Sequence, residues 1–282
     1  MLKQRILTAA FALPLMIAML IYAPTWVLIP FFMVLVGLGS YELAAMLMPR
    51  LEVALKPQGA EGRGKVPFWM VPTAVFLACL IFLGSSSYSV EGARGAILAG
   101  LLGSILLGCF LAPDNETAFA RTMGLLITIV YGAFPWLATW DLYLMGDGSR
   151  YVLFLCTIVW AGDTGAYFGG RAWGKHKLAP RMSPKKTWEG SISGLLASIV
   201  GACLANLVYQ GELGSWGVII LAGLVGGAFG QMGDLVESTF KRFSGVKDSG
   251  VIFPGHGGFL DRVDGLLFAA PIIWFILYNL RG

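Results

Sequence analysis

WVLIPFFMVLVGLGSYELAAMLM, residues 26–48, is an apolar run of about the length a helix needs to cross roughly 30 Å of hydrocarbon. Eight further blocks of this kind can be placed, near 6–22, 68–84, 95–113, 119–139, 150–171, 188–209, 215–240 and 263–280. The spacing therefore predicts an all-α, polytopic transmembrane protein of about nine helices. Block 6–22 follows Lys3 and Arg5 and has the outline of a secretory signal. Its end reads IYAPTW, where proline directly after the small residue opposes cleavage, so it is expected to stay as a helix.

Composition agrees. The 282 residues are 57% hydrophobic and 13% charged, against about 25% charged in ordinary soluble domains. No water-soluble fold hides that much apolar surface. Basic loops are retained on the cytoplasmic side. Nine spans with a cytoplasmic N-terminus put 17 of the 20 Lys and Arg residues inside, leaving Arg94, Arg150 and Arg281 outside. Cys79, Cys109, Cys156 and Cys203 are scattered through apolar blocks without metal-ligand spacing and read as small buried hydrophobes. The net charge of +4 resides in residues flanking membrane segments, which points to anionic headgroups or a phosphorylated substrate and not to nucleic acid.

Residues 1–150 read as a transmembrane scaffold, interrupted by one longer polar segment from Pro49 to Lys65. Residues 151–282 form one membrane unit with that scaffold but carry the chemistry. There, ionisable residues enter the apolar blocks in three clusters, all cytoplasmic in the expected topology.

The first cluster is WAGDTGAYFGGRAWGKHKLAPRMSPKKTWEG, residues 160–190. Asp163 lies inside an apolar block, where a carboxylate costs a few kcal/mol unless paired, metal-bound or hydrated. It marks a site, or it is a helix-end carboxylate neutralised by Arg171. Gly162, Ala166 and Gly170 form a smooth stripe for close helix packing. Ser183 before Pro184 reads as a helix N-cap with Lys185 and Lys186 in the first turn. That turn is either a phosphate cradle or a positive-inside anchor.

The second cluster, GQMGDLVESTFKRF, residues 230–243, sets Asp234 roughly 10 Å below the Lys241–Arg242 pair. Glu237 completes a site or pairs with Lys241 at i+4. Glycines 223, 226, 227, 230 and 233 favour close packing. The third cluster runs SGVKDSGVIFPGHGGFLDRVDG to residue 265, with Asp261 and Asp264 one helical turn apart on one face. Two such carboxylates can share a divalent cation, or cap a helix start beside Arg262. The glycines around His256, among them Gly257 and Gly258, let the loop fold over a ligand. His256 is not assigned a base role.

Residues 238–264, STFKRFSGVKDSGVIFPGHGGFLDRVD, resemble the signature of the phosphatidate cytidylyltransferase (CDP-diacylglycerol synthase) family without departure. GDTGAYFGGR and SPKKTWEG are similar to cytoplasmic segments of the same family. The resemblance covers about the C-terminal half. It implies condensation of CTP with phosphatidic acid to CDP-diacylglycerol and pyrophosphate, a cytoplasmic-side site in the inner (cytoplasmic) membrane, Mg2+, a second, monovalent cation (K+) and a homodimer.

The chemistry is consistent with this. A phosphate monoester is already an anion, so attack on the α-phosphorus needs charge neutralisation and not a strong base. Asp234, Asp261 and Asp264 are accordingly expected at the metal. Lys185, Lys186, Lys241, Arg242 and Arg262 are expected at phosphates, with Asp163, Lys247, Asp248, His256, Gly257 and Gly258 shaping the substrate site. The competing expectation is an ion- or proton-coupled transporter, against which stands the crowding of the acids on one side. A lipid enzyme using another activated donor is a further alternative.

Overall fold

Hydrocarbon offers a backbone no hydrogen-bond partner, so a chain of apolar runs satisfies its own N–H and C=O groups by forming helices. A computed structural model describes residues 14–55, 66–86, 90–146, 148–252 and 257–280. Helical residues 14–22 (α1) precede α2 (Thr25–Ala54), α3 (Met70–Ser86), α4 (Val90–Phe110), α5 (Asn115–Gly132), α6 (Phe134–Leu144) and α7 (Ser149–Trp173). Strands β1 (Lys177–Ala179) and β2 (Ser183–Thr187) lead to α8 (Trp188–Val208), α9 (Trp216–Phe243) and α10 (Leu260–Leu280).

Among the described residues seven helical stretches have the length and composition to cross a membrane, α5 and α6 together making one of them, Asn115–Leu144. α3 is apolar but shorter, at 17 residues. The chain is an integral membrane protein by this measure. The break between α5 and α6 falls at Ala133, ahead of Phe134–Pro135, because proline lacks an N–H and disfavours the helical region for the residue before it.

Three local expectations are corrected. The fold is helical but not purely so: β1 and β2 form a two-stranded antiparallel hairpin, pairing Lys177 with Thr187 and Ala179 with Ser183. Ser183–Pro184 consequently does not start a helix. Thr187 is the N-cap, its hydroxyl accepting from Gly190 N at 3.2 Å, and Lys185 and Lys186 lie on the strand before it. Proline is tolerated in β2 because both strands of a two-stranded sheet are edges. Third, the helix of residues 26–48 does not stop at Pro49 but runs to Ala54. Its last turn buries Glu52 against Arg121, Nε to Oε1 2.9 Å, and Arg121 also donates to Leu111 O at 2.8 Å.

The chain packs as two discontinuous compact units, where the sequence reading sets a single boundary at 150. Unit 1 runs to Leu137 and adds Phe240–Asp261; unit 2 comprises Ala138–Thr239 and the chain from Arg262. In unit 1, α2, α3 and α5 meet over Ala44, Met48, Met70, Ala74 and Leu125, all fully or almost fully buried. Phe32 stacks on Phe82, and Trp136 on Phe259. In unit 2, α7 and α8 lie close along their length. Lipid tails are as apolar as leucine, so association there relies on close backbone approach through small residues. The stripe expected from the sequence, Gly162, Ala166 and Gly170 of α7, lies against Gly190 and Gly194 of α8, and Gly165 and Gly169, which that reading did not include, face Ala197 and Ser193.

Breaking the Glu52–Arg121 pair strands a buried charge. Arg121→Ala is expected to lower stability by about 3–5 kcal/mol, and the double change Glu52→Gln with Arg121→Met to recover most of it. Thermal unfolding in detergent reads both, and equal loss in the two proteins contradicts the pairing.

Candidate functional site

Glycine spacing decides where the carboxylates of unit 2 stand. On α9, Gly223 and Gly227 approach α8, whereas Gly226, Gly230 and Gly233 approach α10. A methyl group on Gly233 would overlap the carbonyl of Asp264. That contact brings the α9 backbone beside Asp234 against the α10 backbone at Asp264. Asp264, half-buried, lies within electrostatic reach of Asp234, Glu237 and Asp163.

β2 supplies the opposing charge. Lys186 Nζ lies 2.6 Å from Asp234 Oδ2, and Asp163 is within reach of both. Ser238 Oγ donates to Asp234 Oδ1 at 3.3 Å. A cleft of about 470 Å³ opens here, lined by Asp163, Tyr167, Arg171, Lys185, Lys186 and Asp234 among others. Gln231 and Ser191 bond to each other on its wall, Gln231 Nε2 donating to Ser191 O at 3.0 Å. The hairpin that carries the lysines is itself held by Glu189, which accepts from Lys175 N at 3.1 Å and His176 N at 3.2 Å and meets His176 Nδ1 at 2.6 Å.

Asp261 stands in unit 1 and is committed to its own loop. Its Oδ1 accepts from Lys241 Nζ at 2.6 Å, and its Oδ2 from Ser249 N at 2.9 Å and Gly258 N at 2.8 Å. Gly257 has φ +84°, and a side chain there would collide with that carboxylate. Lys247 and Asp248 are exposed and line a second cavity of about 600 Å³ with Arg50. Arg242 is exposed and donates to Val246 O at 3.3 Å; Arg262 is exposed on the first turn of α10. His256 lies outside the described residues.

Of the residues expected at the site, the structure thus gathers Asp163, Lys185, Lys186, Asp234 and Asp264 in unit 2, and Lys241, Asp248, Gly257, Gly258 and Asp261 in unit 1. Among the described residues no three His, Cys, Asp or Glu side chains form a cage able to hold a metal ion. The sequence reading missed Glu42, buried at 2% exposure in α2, which accepts from Ser249 Oγ, Phe259 N and Leu260 N, each at 2.9 Å. The available signal was a lone acid inside the quoted apolar run.

Helices of membrane-crossing length and composition, with carboxylates and lysines gathered where Asp163, Lys186 and Asp234 meet, define an integral membrane protein. Residues 3–280 match the sequence profile of the cytidylyltransferase family, and the chain belongs to that family. The chain is 34% identical over 276 residues to the phosphatidate cytidylyltransferase of Bacillus subtilis strain 168, covering 98% of this chain and 97% of that one. It is 37% identical over 214 residues to the protein of the same name from Staphylococcus epidermidis RP62A, covering 75% and 81% of the two chains. The like-named Brucella suis protein is 43% identical over 185 residues, covering 64% and 66%.

The α7–α8 packing that carries this cleft is open to a direct check. A methyl group on Gly169 would overlap the Ser193 side chain. Gly169→Ala is expected to destabilise the protein by about 1–3 kcal/mol, the usual cost of overpacking. An unchanged unfolding midpoint would show that the helices separate without strain.

Proposed function

We propose that the chain is a phosphatidate cytidylyltransferase, joining the phosphate of phosphatidic acid to the α-phosphate of CTP with release of pyrophosphate. The observation that carries the reading is the meeting of Asp163, Asp234 and Lys186 in one cleft, with Asp264 within electrostatic reach of both carboxylates. Near-full-length similarity to a protein named for this activity favours it over ion or proton transport.

The residues of unit 2 fit Mg2+. This ion takes hard oxygen ligands, keeps several waters, and uses one or two carboxylates plus substrate phosphates instead of an all-protein cage. Asp234 and Asp264 would hold it, with Asp163 adding negative charge nearby; when bound it neutralises phosphate charge. The protein's own part is orientation and charge. Lys186, now on Asp234, and Lys185, exposed beside it, supply ammonium groups for the triphosphate. Tyr167 and Ala166 supply the less polar wall. Phosphatidate arrives ionised, so no residue need remove a proton from it. Lys241, Arg242, Arg262 and Lys247 would add cationic groups for phosphates, and a monovalent cation (K+) would sit near the carboxylates. Nine spans, a cytoplasmic N-terminus, a site facing the cytoplasm from the bacterial inner membrane, and a homodimer complete the proposal.

Purified protein given labelled CTP, phosphatidic acid and Mg2+ is expected to yield labelled lipid, with CTP preferred among the four nucleoside triphosphates and chelation of the metal stopping the reaction. Asp234→Asn or Asp264→Asn is expected to reduce turnover more than about a hundredfold, beyond the 10–100-fold typical of groups that only orient a metal ligand. Lys186→Gln is expected to raise KM for CTP about tenfold or more, from the ~1.5–3 kcal/mol of a charge-assisted hydrogen bond. An unchanged KM would leave Lys186 as a topology signal only.

A further inference from the structure

A buried carboxylate outside the proposed reaction centre stands out. Glu42 lies in the apolar α2 at 2% exposure, where an acid without partners costs several kcal/mol. Its partners come from far along the chain: Oε1 accepts from Phe259 N and Oε2 from Leu260 N and Ser249 Oγ, all at 2.9 Å. Phe259 and Leu260 enter α10, so two N–H groups at a helix start, which a local Ser, Thr or Asp cap ordinarily serves, are served by another helix. An anion is also favoured there by the helix dipole.

The segment is built around that carboxylate. A methyl group on Gly250 would overlap Glu42 Oε1, and one on Gly258 would overlap Glu42 Oε2. Ser249 joins Glu42 to Asp261. Its Oγ lies 2.9 Å from Glu42 Oε2 and 3.1 Å from Asp261 Oδ2, and its single hydrogen serves one of them at a time. Asp261 holds Lys241 through its other oxygen.

We propose that Glu42 is a positioning residue for the transferase reaction: it staples Ser249 to the start of α10 and thereby fixes the Lys241–Asp261 pair. The proposal rests on the function assigned above. Glu42 touches no substrate; it acts through Ser249 and the first turn of α10. Glutamine cannot replace it, since an amide has one acceptor oxygen and would turn an NH2 toward donors.

The test uses full-length protein in detergent with Glu42→Gln, Ser249→Ala and the double variant. Glu42→Gln is expected to lower kcat about 10–100-fold, the range for groups that orient active residues, with KM for CTP within about threefold. Ser249→Ala is expected to lower kcat less. The double variant should be no worse than Glu42→Gln alone, because both act through one loop. Amide exchange in the peptide covering 257–262 should quicken in Glu42→Gln.

A folded Glu42→Gln protein with unchanged kcat, or a double variant whose losses multiply, overturns the proposal. Should Glu42→Gln not fold, Ser249→Ala decides: reduced kcat at constant KM supports positioning, and unchanged kcat overturns it. An inactive wild type would instead defeat the transferase reading, and unchanged amide exchange in Glu42→Gln would then defeat the staple by itself.

Discussion

Hydrocarbon gives a carboxylate nothing to bond, yet this chain carries acids in helices made for hydrocarbon. One uncompensated acid costs several kcal/mol, comparable with the net stability of a small domain, so each has to be answered where it stands. Glu42 is answered by two backbone N–H groups and a hydroxyl, Glu52 by Arg121, Asp261 by Lys241 with two backbone N–H groups, and Asp234 by Lys186. These answers differ in kind. Backbone donors are fixed by the helix or turn they belong to, whereas a lysine ammonium on a flexible stem exchanges partners readily. Glu42 is therefore suited to holding a loop, whereas the Lys186–Asp234 pair is the more easily exchanged of the two.

Close approach of backbones makes the second arrangement possible. α9 has glycine where it passes α8 and again where it passes α10, and the contact at Gly233 with Asp264 O fixes the level at which the acids meet. Any side chain there would push α10 away and take Asp264 with it. The same small residues that replace a hydrophobic driving force inside a bilayer thus set the spacing of the carboxylates. Helix packing and carboxylate spacing in unit 2 share one set of contacts.

The helical blocks were legible because a run of about 20 apolar residues admits one solution in lipid. Block 188–209 became Trp188–Val208, and block 150–171 became Ser149–Trp173. The hairpin was not legible, since Ser183–Pro184 carries the chemistry of a helix start and only the pairing of Lys177 with Thr187 overrides it. The polar segment that begins at Pro49 is likewise helical in its first residues, as far as Ala54, with Glu52 buried against Arg121. In the site, periodicity put Asp261 and Asp264 on one helix face, which holds for α10 as a backbone. It could not reveal that Asp261 is taken by Lys241, Ser249 and Gly258, because those bonds depend on loop closure and not on helical spacing. Glu42 escaped for a related reason, its donors lying more than two hundred residues away.

The strand before α8 explains more than a misplaced cap. Adjacent lysines on a helix would stand about 100° apart around its axis, whereas successive residues of a strand point to opposite sides. Lys186 is consequently half-buried on Asp234 while Lys185 stays exposed at the same cleft. One ammonium group thus neutralises Asp234 and the other stays exposed to solvent. Glu189 holds this hairpin through Lys175 N, His176 N and the His176 ring. That bond occupies one of the chain's two histidines in structure, consistent with a reaction whose nucleophile needs no base.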